Sequence, residues 1–129
     1  MKVGCTVSRV VHFEIHAADP ESAAKFYSAV FDWKITKWDG PFDYWLVATG
    51  EGSGIDGGIV RRQGARPDSG AAVNAYVCTV TVASLDETYA VITANGGTVA
   101  VEKQEVPGIG LLAYFKDPEG NIFGVLQPT

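Results

Sequence analysis

The chain has 129 residues, 47% of them apolar and 19% charged, which is the make-up of one ordinary globular domain able to bury a core unaided. Its formal net charge of −5 at pH 7 speaks against a nucleic-acid partner, which wants a basic face. No apolar run approaches the ~20 residues of a membrane span, and the N-terminal stretch lacks a signal peptide's unbroken apolar core. The expectation is a cytoplasmic protein with no membrane partner.

Cys5 and Cys78 are too few for a disulfide framework, and Cys78, inside an apolar strand, reads as a small core residue. The basic cluster of Arg61, Arg62 and Arg66 reads as part of a solvated loop.

Residues 10–16 alternate, with Phe13 and Ile15 on one side and His12, Glu14 and His16 on the other, as the two-residue period of a strand requires. Asp19-Pro20-Glu21 then reads as a helix start: Asp19 as N-cap, Pro20 in the first helical position and Glu21 in the first turn. Ala23, Phe26, Tyr27, Val30 and Phe31 follow at helical spacing and predict one apolar face covering the Phe13/Ile15 side of a sheet. Strands are expected over residues 33–38, 44–49 and 56–62, separated by Gly40-Pro41 and by the glycines at 50, 52 and 54.

The second half repeats the order. Residues 74–82 alternate, with Cys78, Val80 and Val82 on one side and Val77, Thr79 and Thr81 on the other. Ser84 with Glu87 makes a capping box, and Leu85, Tyr89, Ile92 and Thr88 form the predicted buried helix face. Asn95-Gly96-Gly97 ends that helix, and strands are expected over 98–102, 111–116 and 121–127. Shifting the first half by 65 positions lays His12 on Val77 and Tyr27 on Ile92; one residue more lays Gly58 on Gly124.

The expected fold is therefore α+β, a single domain over residues 1–129: module one about 8–62, a linker about 63–72, and module two about 73–128. Two βαβββ modules in one chain form a curved, barrel-like mixed sheet around a central cavity, with the helices outside. Inward-facing positions are those opposite the helix: His12, Glu14 and His16, then Val77, Thr79 and Thr81, and on the last strand Ile122, Gly124 and Leu126, with Gly58 the counterpart of Gly124. A small-molecule ligand is expected in the cavity between the modules.

The whole chain resembles the vicinal oxygen chelate superfamily, which includes glyoxalase I, bleomycin-resistance proteins and extradiol dioxygenases. The residues that carry the resemblance are His12 with Ala17-Ala18-Asp19-Pro20, then Phe26-Tyr27, Phe31-Asp32-Trp33, Ala94-Asn95-Gly96-Gly97, Val106-Pro107-Gly108 and, most specifically, Asp117-Pro118-Glu119-Gly120-Asn121. It looks most like the small bacterial glyoxalase-like proteins. The resemblance implies four metal-ligand positions, which fall on His12, near Gly58, on Val77 and on Gly124. Only the first carries a ligating side chain, so no metal and no other cofactor is expected. His12, Glu14 and His16 do not make a substitute site, since four residues along a strand span ~13 Å. The resemblance also implies a homodimer.

His12 and Glu14 are the catalytic candidates, because an imidazole beside a carboxylate can move protons near neutrality. His16, Gly58, Val77, Thr79 and Gly124 are the ligand-binding candidates; Tyr44, Trp45, Tyr76 and Tyr114 are further wall residues of open facing. Three functions follow: a metal-independent small-molecule binder of bleomycin-resistance type, a glyoxalase-like lyase or isomerase using His12 and Glu14 with or without a recruited divalent metal, or a scaffold domain with a vestigial pocket. Whether the chain is an enzyme is open at this point.

Overall fold

Alternating strand, capped helix and turn-bounded strands follow one another twice in the computed structural model, which describes residues 8–129. Cys5 lies outside the described residues. The elements are β1 (Val10–Ala17), α1 (Pro20–Phe31), β2 (Lys34–Lys37), β3 (Tyr44–Ala48), β4 (Asp56–Arg61), β5 (Val77–Thr81), α2 (Leu85–Ala94), β6 (Thr98–Val106), β7 (Gly110–Lys116) and β8 (Ile122–Pro128). They fall into two compact units, His12–Tyr76 and Val77–Thr129, the latter taking residues 8–11 with it.

In the first unit the strand order is β2-β3-β4-β1. β1 runs parallel to β4, and the other pairs are antiparallel. Asp19 Oδ1 accepts from the Ser22 backbone N–H at 3.3 Å and so caps α1, with Pro20 next, where a missing N–H costs nothing. Asp32 closes the helix in the left-handed region at φ 61°, its N–H donating to the Ser28 carbonyl. One side of the sheet and the helix share a core of Phe13, Ile15, Ala17, Trp45, Val47 and Ile59, packed by Ala23, Ala24, Tyr27 and Trp33. The expected helix face needs correction: Phe26, Val30 and Phe31 are each more than half exposed. The contact stripe is Pro20, Ala23, Ala24 and Tyr27, narrower than the apolar arc of the sequence.

In the second unit the order is β5-β8-β7-β6, and Thr81 on β5 exchanges backbone hydrogen bonds with Ser8 and Arg9. Ser84 Oγ accepts from the Glu87 N–H at 3.2 Å, and the Leu85 N–H finds Gln127 Oε1 at 2.8 Å, so two donors of the first helical turn are satisfied. Val82, Leu85, Ala113, Phe115 and Val125 form the core, with Tyr89 and Ile92 packed against it. Cys78, expected in the core, is only half-buried. The Asp117-to-Asn121 turn is held by Asp117 Oδ1, which accepts from the backbone N–H groups of Glu119 and Asn121 at 2.9 and 3.0 Å. These bonds hold the Asp117 carboxyl below its usual pKa, those from Asn121 most strongly.

Two boundaries differ from expectation by more than one residue. β5 starts at Val77 rather than residue 74, and β6 continues to Val106 past residue 102. The added part of β6 is charged and exposed, as suits a strand paired on one side within its unit. Neither helix is long and apolar enough to cross a membrane.

Candidate functional site

The candidate site lies on the face of the first unit's sheet that turns away from α1. Strand register sets its layout. His12 pairs with Asp56, Glu14 with Gly58 and His16 with Val60 across β1 and β4. Leu46 pairs with Gly58 and Tyr44 with Val60 across β3 and β4, and Lys34 and Thr36 extend the rows onto β2. Side chains of one parity share one face, so His12, Glu14, Tyr44, Leu46 and Gly58 come together.

Tyr44 joins them. Its ring leans across Gly58, where a β-carbon would strike Cζ, Cε1 and the hydroxyl oxygen. The hydroxyl donates to Glu14 Oε2 at 3.0 Å and lies 2.7 Å from His12 Nε2. The Trp38 ring meets Tyr44 edge-on at 6.2 Å. Gly58 therefore makes room for a tyrosine of its own chain.

Beside this network is a concavity of about 470 Å³, lined by His12, Lys34, Thr36, Leu46, Val47, Ala48, Asp56 and Gly57. The size suits a small organic ligand. Aliphatic side chains and glycine make half of the wall, and His12, Lys34, Thr36 and Asp56 supply the polar points. Asp56 Oδ1 is already engaged by the Thr49 N–H at 2.8 Å and by the Thr49 hydroxyl at 3.2 Å. Burial pushes the His12 pKa below its ordinary value; Glu14 first, and then Asp56, pull it back up without reversing the shift. His12 is neutral at pH 7.

His16 sits further along β1, and its Nε2 is buried without a hydrogen-bond partner among the described residues. Its carbonyl accepts from Arg62 Nη2 at 2.7 Å. Arg62 is thus half-buried and tied to β1, a correction to the solvated-loop expectation, whereas Arg61 and Arg66 are exposed. The remaining candidates lie in the second unit. Thr79 pairs with Gly124 in register, Val77 and Thr79 are buried, and a side chain on Gly124 would strike Thr79 Oγ1 and the Tyr114 ring.

The chain from residue 9 to 125 matches the family model of the Glyoxalase/Bleomycin resistance protein/Dioxygenase superfamily. The chain belongs to this superfamily. Two curated mycobacterial relatives, "Putative glyoxylase CFP32" of Mycobacterium bovis and of Mycobacterium tuberculosis, are 43% identical over 44 residues, 34% of this chain. The match spans only 17% of those relatives' length. Among solved structures, methylmalonyl-CoA epimerase from Mycobacterium tuberculosis superposes with a TM-score of 0.68 at 14% identity, over 100% of this chain and 93% of that one. Streptomyces coelicolor methylmalonyl-CoA epimerase in complex with 2-nitronate-propionyl-CoA gives 0.64 at 15% identity, over 93% and 96%. A hypothetical protein from Bacillus halodurans C-125 gives 0.66 at 14%, over 92% of each. These likenesses establish the glyoxalase fold.

The metal ion that the resemblance implies does not fit the residues present. Gly58, Val77 and Gly124 offer no side-chain donor atom, and the space beside Gly58 and Gly124 is taken by Tyr44 and by Thr79 with Tyr114. Among the described residues, no three His, Cys, Asp or Glu side chains are grouped to hold an ion.

Proposed function

We propose that this chain is a metal-independent small-molecule binding protein built of two βαβββ modules, and that its ligand sits on the sheet face beside His12. The observation that carries this reading is the 470 Å³ concavity with apolar walls and one fixed, neutral imidazole. Apolar walls supply affinity through burial, while a few placed polar groups set orientation. The donor set at Gly58, Val77 and Gly124 supports binding without a metal. The same reading has the protein in the cytoplasm as a homodimer; sedimentation equilibrium checks the second point, a monomer at micromolar concentration contradicting it.

The test of binding is a thermal-shift screen of small organic molecules in EDTA, with wild type against His12→Ala. A true ligand at about a hundred times its Kd stabilises wild type by ~2.7 kcal/mol. His12→Ala keeps its fold and loses most of that gain. A broad library that leaves wild type unshifted contradicts the proposal.

A second reading, a glyoxalase-like lyase or isomerase, is favoured by one observation: at pH 7 His12 is an unprotonated base lining a cavity. Proton-exchange assays on carbonyl compounds with an acidic C–H, in wild type and His12→Ala, separate the two readings. Turnover lost with His12 makes the chain an enzyme, and binding without turnover keeps it a binder.

A further inference from the structure

We propose that Glu14, acting through the Tyr44 hydroxyl, fixes His12 in the Nε2–H tautomer and leaves Nδ1 as the atom that accepts a hydrogen bond from the ligand. The inference deepens the binding function proposed above and rests on it only for the word ligand. The tautomer lock stands on the geometry alone.

An ionised carboxylate only accepts. The Tyr44 proton is therefore committed to Glu14 Oε2 at 3.0 Å, and a phenol has one proton to give. Toward His12 the Tyr44 oxygen acts as an acceptor, so the proton in the 2.7 Å contact belongs to His12 Nε2. A neutral imidazole carries one N–H, and Nδ1 is left with its lone pair. Nδ1 has no hydrogen-bond partner among the described residues, and the ring lines the concavity. The charge at one end of the chain of bonds thus sets the polarity at the other.

Two consequences follow. Glu14 is a positioning residue rather than a second acid–base group working on the ligand. The ligand class is also narrowed to molecules that present an N–H or O–H donor to His12 next to an apolar body. Methylating that donor should weaken binding roughly tenfold, the loss of one hydrogen bond.

The test is ¹⁵N NMR of the His12 ring near pH 8, in wild type, Glu14→Ala and Tyr44→Phe, with no ligand present. Wild type is expected to show a single tautomer, Nε2 carrying the proton and Nδ1 bare. In Glu14→Ala the carboxylate that accepts the Tyr44 proton is gone, the hydroxyl can donate to Nε2 instead, and the Nδ1–H form should appear. In Tyr44→Phe the Nε2–H should exchange with water faster than in wild type. Unchanged His16 ring signals show that each variant remains folded. A wild-type Nδ1–H tautomer, or His12 signals indifferent to both substitutions, overturns the inference. The expected wild-type tautomer, together with no thermal shift across the small-molecule screen described above, overturns the binding function and leaves the lock in place.

Discussion

Burial and two carboxylates pull on His12 in opposite directions, and burial prevails. The sign of the stability effect follows. The folded pKa lies below the unfolded value near 6.5, so the contribution is fully present above about pH 6.5. Below it the unfolded chain takes up a proton that folded His12 refuses, and stability falls until the folded pKa is passed. Urea unfolding of wild type and His12→Gln from pH 7.5 to 5 should therefore give a stability difference that shifts against wild type as the pH drops. Parallel curves would remove the burial account. Gly58 is the other decisive residue. Gly58→Ala sets a methyl against the Tyr44 ring and should cost about 1–3 kcal/mol, the usual penalty of overpacking. The same variant should release the His12 tautomer; a variant as stable as wild type with its NMR signature intact would mean that Tyr44 has other room. Tyr44 is legible in the sequence only as a wall residue of open facing, not as the partner of His12 and Glu14. β3 is five residues long and starts on two adjacent aromatics, so the sequence does not say which one turns from the helix. The available signal was Gly58: a glycine inside a strand marks a close approach, and the approaching group is Tyr44.

The elements were legible where local chemistry is strong. Asp19-Pro20 and Ser84 mark both helix starts because their side chains and ring act within one turn. The reach of β6 beyond Glu102 is hidden because Lys103, Gln104 and Glu105 look like loop, while a strand paired on one side tolerates charge. The α1 face was overread for a different reason. Periodicity assigns residues to an arc, but only contact with the sheet decides how much of that arc is buried. The two helices yield a paired prediction: Leu85→Ala, at 1% exposure, should cost about 2–5 kcal/mol, whereas Phe26→Ala, at 58%, should stay within ~0.5 kcal/mol. Chemical denaturation measures both. A large loss at Phe26 would mean that α1 is covered by a partner in solution, which would also bear on the proposed dimer.

For the whole molecule, superfamily membership was readable from motifs scattered along the chain, and the family match over residues 9–125 establishes it. Chemistry was not readable in the same way, because one fold hosts many reactions and the site residues decide among them. Here those residues are an imidazole, a phenol and a carboxylate in series, beside a concavity with apolar walls. The most direct test is calorimetric titration of a screened ligand into EDTA-treated protein, repeated with Zn²⁺, Ni²⁺ or Mn²⁺ and with His12→Ala. The account predicts saturable one-site binding without metal, unchanged by metal addition and weakened at least tenfold by His12→Ala. Binding that appears only when a metal is restored would contradict it.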